Sequence, residues 1–71
     1  MTPAQIEAAG RILFGNDWRY PFCDKFLINT RTLRRFLAGT DPVPQGLARE
    51  IEVAIRDHAN RADELLEAIS Q

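Results

Sequence analysis

Apolar residues recur every three or four positions through most of this chain, which is the spacing of helices with one buried face. Ile6, Ala9 and Leu13, with Gly10 and Phe14 beside them, predict a first helix over about 3–14. Thr2 can cap it, Pro3 suits its first position, and Gln5 completes a capping box with Thr2. Gly15 is the expected stop. A second helix starts near residues 18–19, with Asp17 or Trp18 at its cap, because Pro21 is tolerated only in a first turn. Phe22, Cys23 and Phe26 then face inward, and Arg19, Asp24 and Lys25 face out. Leu27 and Ile28 make a tight turn into the next element.

The third helix is the element around which the chain is organised. Asn29 is a good N-cap, and Leu33, Phe36 and Leu37 share one apolar stripe. Thr30, Arg31, Arg34 and Arg35 are left on the other sides, and Gly39 supplies the left-handed residue that ends the helix. Pro42-Val43-Pro44 follows as a stiff connection, with Val43 plugging the core and Pro44 starting the last helix. From there to Ser70 no breaker intervenes. Leu47, Ile51, Ile55, His58, Ala62, Leu65 or Leu66, and Ile69 keep helical spacing. Glu52–Arg56 and Asp57–Arg61 are acid-before-base pairs that support one continuous helix over about 44–70. The alternative is a break near Asn60 and a short fifth helix. The pattern is that of an all-α chain, a single domain over 1–71.

At 71 residues the core is small. A domain of this size buries only about 60% of its unfolded-chain surface, so a partner, a metal or disulfides often supply further stability. Cys23 is the only cysteine and His58 the only histidine, so neither an internal disulfide nor a zinc set is expected. Self-association remains. The second half of the last helix carries Ala62, Leu65, Leu66 and Ile69 beyond anything so small a monomer could bury, and these are the expected homodimer interface. No apolar run is long enough to span a bilayer and no signal-peptide pattern opens the chain, so a cytoplasmic protein without membrane contact is expected.

The formal net charge of −1 hides two unlike halves. Residues 11–36 hold six basic residues against two acidic ones, a local excess of +4, and residues 47–71 hold three against six, an excess of −3. A polyanion responds to the local field, not to the sum. Three arginines and two hydroxyls on so short a third helix are what a DNA groove asks for. Catalysis wants a nucleophile with a base, or clustered acids in a cleft, and neither is in view. Cys23 reads as a core filler at a helix crossing and His58 as a residue on the inner edge of the long helix. No catalytic residue, metal, cofactor or small-molecule ligand is expected, and no separate ligand-binding domain.

The run from Arg19 to Gly39 resembles the helix-turn-helix of the phage-repressor and Cro-type family. More narrowly, Leu13-Phe14-Gly15, Trp18, Thr32-Leu33-Arg34-Arg35-Phe36 and Pro42-Val43-Pro44 are similar to small phage and proteobacterial regulators of this kind. The likeness covers about residues 10–50, with the motif at about 18–38. In that family Cys23 stands where a small residue lets the two motif helices approach. Ile28 and Leu33 fall on buried positions, Phe36 replaces the usual Trp, and Asn29 replaces a Ser or Thr cap. Two departures are Leu27, where Gly is common, and Pro21 inside the second helix.

The resemblance implies that Thr30, Arg31 and Arg35 turn toward base edges. It puts Arg19 at a phosphate, and Arg34 suits the same role, as do Asn29 and Thr32 at the helix start. It further implies a homodimeric repressor on a palindromic operator in double-stranded DNA, of the autoregulatory kind found in phage and anti-CRISPR-associated operons. A second class stays open: a small helical module, an antitoxin or inhibitor, that turns the basic face to a protein.

Overall fold

The computed structural model describes all of residues 1–71, in four helices and no strands: α1 (Pro3–Phe14), α2 (Arg19–Phe26), α3 (Thr30–Ala38) and α4 (Gln45–Ile69). The fold is all-α. Its long dimension is 48 Å against 23 and 20 Å in the others, because α4 extends well past the rest.

Local chemistry sets most of the helix ends. The Thr2 hydroxyl accepts from the Gln5 N–H at 3.1 Å, and the Gln5 side chain accepts from the Thr2 N–H at 2.9 Å. Gly15 ends α1 with φ +82°, and its N–H reaches the Arg11 carbonyl at 2.9 Å. The start of α2 is different. Trp18 occupies the cap position in a helical conformation and no side chain caps the helix, so Asp17 does not serve there. Trp18 instead drives its indole into the core, where it is almost wholly buried.

The core is built on a row of aromatic rings along the inner face of α2. Trp18 meets Phe22 edge-on at 5.5 Å between centroids, and Phe22 meets Phe26 at 4.7 Å. Such pairs contribute about 0.5–1.5 kcal/mol each beyond their burial. Ile6 and Ala9 from α1, Cys23 from α2, Leu33 from α3 and Ile51 from α4 complete the cluster. Val43 packs on its edge, as expected. α3 packs against α1 and α2, α4 packs against the same two helices, and the backbones of α3 and α4 do not approach closely. The basic and the acidic helix are thereby kept apart.

α4 runs unbroken to Ile69, so the alternative of a fifth helix after Asn60 is absent. Asp57–Arg61 closes at 3.0 Å and Glu52–Arg56 at 4.0 Å, the two pairs expected from the spacing. Only its first half meets the core: Ile51 is buried, Leu47, Ala54, Ile55 and His58 are half-buried, and every residue from Ala59 onward is exposed. No helix is long and apolar enough to cross a membrane.

Candidate nucleic-acid interface

The turn between α2 and α3 aims the basic residues. Leu27 takes the left-handed conformation, φ 56° and ψ 44°, that a glycine would adopt more easily. Its N–H and that of Ile28 both reach back to the Cys23 carbonyl, the latter at 3.1 Å. This pattern closes a helix and reverses the chain within a few residues. The Leu27 side chain is 91% exposed, so no burial compensates the strained backbone. Asn29 then starts α3, its side-chain oxygen accepting from the Thr32 N–H at 2.7 Å. That leaves its amide NH₂ free to donate outward.

α3 is fixed at both ends and along one side. Leu33 and Phe36 are buried and Leu37 is half-buried. At the far end Gly39 has φ +76°, and the Arg35 carbonyl accepts from the Thr40 N–H at 3.1 Å and from the Thr40 hydroxyl at 3.2 Å. At about 100° per residue, Arg31, Arg35 and Ala38 lie opposite the Leu33–Phe36–Leu37 stripe. Arg34 and Thr30 stand on one flank and Thr32 on the other. Thr30, Arg31, Arg34, Arg35 and Ala38 are exposed, and Thr32 is half-buried.

No carboxylate stands within ion-pairing distance of Arg31 or Arg34. Arg35 has a loose neighbour in Asp41, at 3.9 Å, with both side chains about half exposed. Arg31 is three residues from Arg34 and four from Arg35, and each such like-charge pair on a helix costs about 0.2–0.5 kcal/mol. Arg31 also sits in the first turn, where no acidic residue is present and the helix dipole disfavours a cation. Folding gains nothing from this arrangement. A cluster that breaks local rules with only one loose ion pair beside it is a candidate functional surface.

Arg19 lies at the start of α2 with its guanidinium 5.6 Å from the centre of the Trp18 ring, which steadies it without neutralising it. Tyr20, beside it, is exposed, and its phenol can donate to an anion. Sequence reasoning passed over Tyr20, although its place between an outward Arg19 and an inward Phe22 put it on the surface. It also passed over Asp41 as a companion of Arg35, because their proximity depends on the turn at Gly39. Ala62, Leu65, Leu66 and Ile69 lie together on the exposed second half of α4, away from α3.

Cys23 is buried, and that burial, with a smaller contribution from the Asp24 charge, pushes its thiol above the usual range. The protonated thiol is a poor nucleophile. No three His, Cys, Asp or Glu side chains come close enough together to hold a metal ion. No protein-family model, curated protein or solved structure matches the chain.

Proposed function

We propose that this chain is a sequence-specific DNA-binding repressor, in which α2 and α3 act as a helix-turn-helix and α3 enters the major groove. One observation carries the reading. Three arginines occupy the exposed side of a helix locked by Leu33, Phe36, Asn29 and Gly39, and only Arg35 has an acidic neighbour, 3.9 Å away.

Arg31 and Arg35 read guanines through their paired N–H donors, and Thr30 touches a base edge or a thymine methyl. Arg19, Arg34, Asn29 and Thr32 hold phosphates and set the register. The small Ala38, which ends α3 on the same side as Arg31 and Arg35, lets the backbone approach the groove. The acidic α4 packs on α1 and α2 and makes no close backbone approach to α3. Two copies joined through the exposed half of α4 would present two such helices to an inverted repeat, about 34 Å apart. The reading is of a cytoplasmic binding protein, not an enzyme, and it needs no cofactor or ligand. The likeness of residues 10–50 to small autorepressors makes the promoter of its own operon the first DNA to try.

A mobility-shift titration across salt concentrations tests this. Binding should weaken steeply with salt, since each neutralised phosphate releases counterions. Arg34→Ala should weaken binding to all duplexes alike and lower the salt slope by about one. Arg31→Ala and Arg35→Ala should each lose about 1–3 kcal/mol, and only on the preferred sequence. Binding that ignores salt, or an Arg31→Ala protein that discriminates as well as the parent, would contradict the proposal. A basic face used against a protein would leave the DNA unshifted.

A further inference from the structure

An unpartnered apolar surface lies on the second half of α4. Leu65, Leu66 and Ile69 each show 60% or more of their surface to solvent. A second apolar feature lies toward the other end of the same helix. It is an open groove of about 740 Å³ between α1 and α4, bounded by Met1, Ile12, Ala48 and Ile55 with Arg49 and Arg56 alongside. Steps of seven residues, close to two turns of helix, join the two features. Ala48, Ile55, Ala62 and Ile69 share one line along α4, and Glu52, Ala59 and Leu66 share the line beside it. The wall of the groove and the exposed tail therefore form one seam. Arg49, Arg56 and Asp63 make a third line along its flank, basic toward the groove and acidic toward the tail.

We infer that this seam is covered by α4 of a second copy running antiparallel, with the tail of each copy lying in the α1–α4 groove of the other. The inference rests on the homodimer reading above and names the surface each copy offers. Centred between Ala59 and Ala62, the pairing brings Ala59 against the partner's Ala62, where small side chains let the helices approach. Ile55 then meets the partner's Leu66, and His58 meets the partner's Leu65. Arg56 faces the partner's Asp63, and the two-fold axis repeats that ion pair on the other side. Leu66 and Ile69 reach the groove where the partner's Ile12 and Met1 stand exposed. Glu52, the one charge on the seam, keeps Arg56 at 4.0 Å within its own helix. A parallel pairing would set tail on tail, carry the two Arg56–Asp63 flanks to opposite sides of the seam and leave both grooves open.

The test is a charge exchange read by sedimentation of the full chain without DNA. Wild type should sediment as a dimer. Arg56→Glu alone and Asp63→Arg alone each place like charges together twice per dimer, and each should weaken association at least about tenfold. The double variant, Arg56→Glu with Asp63→Arg, should recover to within about threefold of wild type. Residues seven apart are about 10 Å apart along one helix, too far to pair within it, so recovery must arise between copies. Both positions, Arg56 and Asp63, are exposed, and circular dichroism should show that the helices persist in each variant. A dimer that neither single exchange weakens, or that the double exchange fails to recover, overturns the antiparallel seam and leaves the homodimer reading standing. A wild-type monomer at all concentrations overturns both, and with them the inverted-repeat site, but not the use of α3 in a DNA groove.

Discussion

Gly10 of α1 lies directly under the indole of Trp18: a β-carbon built at Gly10 would stand 2.7 Å from Cζ3 of that ring and closer still to Cε3. This contact lets α1 approach the start of α2, and through it the packing of α3 on both. Gly10→Ala should therefore destabilise the fold by about 2–3 kcal/mol through overpacking, despite the better helix propensity of alanine. Gly46→Ala is the control. A β-carbon there meets nothing within 4 Å, and the substitution should stabilise by about 0.5 kcal/mol by limiting the unfolded chain. Urea unfolding of the two variants reads both signs.

Leu27 holds a left-handed conformation that costs an L-residue about 1–2 kcal/mol, and its side chain is almost wholly in solvent. Leu27→Gly removes the strain and adds about 0.5–1 kcal/mol of backbone entropy to the unfolded state. The net expectation is a gain of about 0.5–1 kcal/mol in thermal unfolding, with unchanged DNA affinity. A loss of stability would mean that the exposed leucine makes a contact in solution.

Asp41 is the only carboxylate near the outward arginines, 3.9 Å from Arg35. An exposed pair of this length contributes little to folding, about 0–1 kcal/mol. Asp41→Asn should leave unfolding nearly unchanged and raise affinity for DNA about two- to fivefold at low salt, since it frees Arg35 and removes a charge that repels phosphate. Equal or weaker binding would show that Arg35 does not reach the duplex.

Burial, with the Asp24 charge behind it, raises the thiol of Cys23, so the folded chain keeps that proton more firmly than the unfolded one. The associated stability is complete below the ordinary thiol range. It declines as the pH rises from there toward the folded value, because the unfolded state alone can then ionise. Cys23→Ala should lack this part of the alkaline decline when unfolding is compared at neutral and alkaline pH. The native thiol should also react slowly with alkylating reagents until the protein unfolds.

Features with local causes were legible in the residues. The capping box at Thr2 and Gln5, the Asn29 cap, the Gly39 terminus and the break imposed by Pro42 and Pro44 all act within a few positions, and the helix boundaries followed. So did the outward placement of Arg31, Arg34 and Arg35, because Leu33, Phe36 and Leu37 define the opposite side. Features set by distant contacts were not legible. Trp18 stands at a cap position, where the apolar period gives no reason to bury it, and its seat exists only because α1 brings Gly10 alongside. The left-handed backbone of Leu27 is imposed by the crossing of α2 and α3, against the preference of the residue itself. The separation of α3 from α4 likewise depends on how α1 and α2 pack between them.

If α3 presents Thr30, Arg31 and Arg35 together to a DNA groove, the duplexes bound from a random pool carry the imprint of those three side chains. Selection from such a pool should recover one inverted repeat, its half-sites about one helical turn apart, with enrichment lost in the Arg31→Ala, Arg35→Ala double variant. A pool that returns no preferred duplex, or one whose preference survives that double variant, would contradict it.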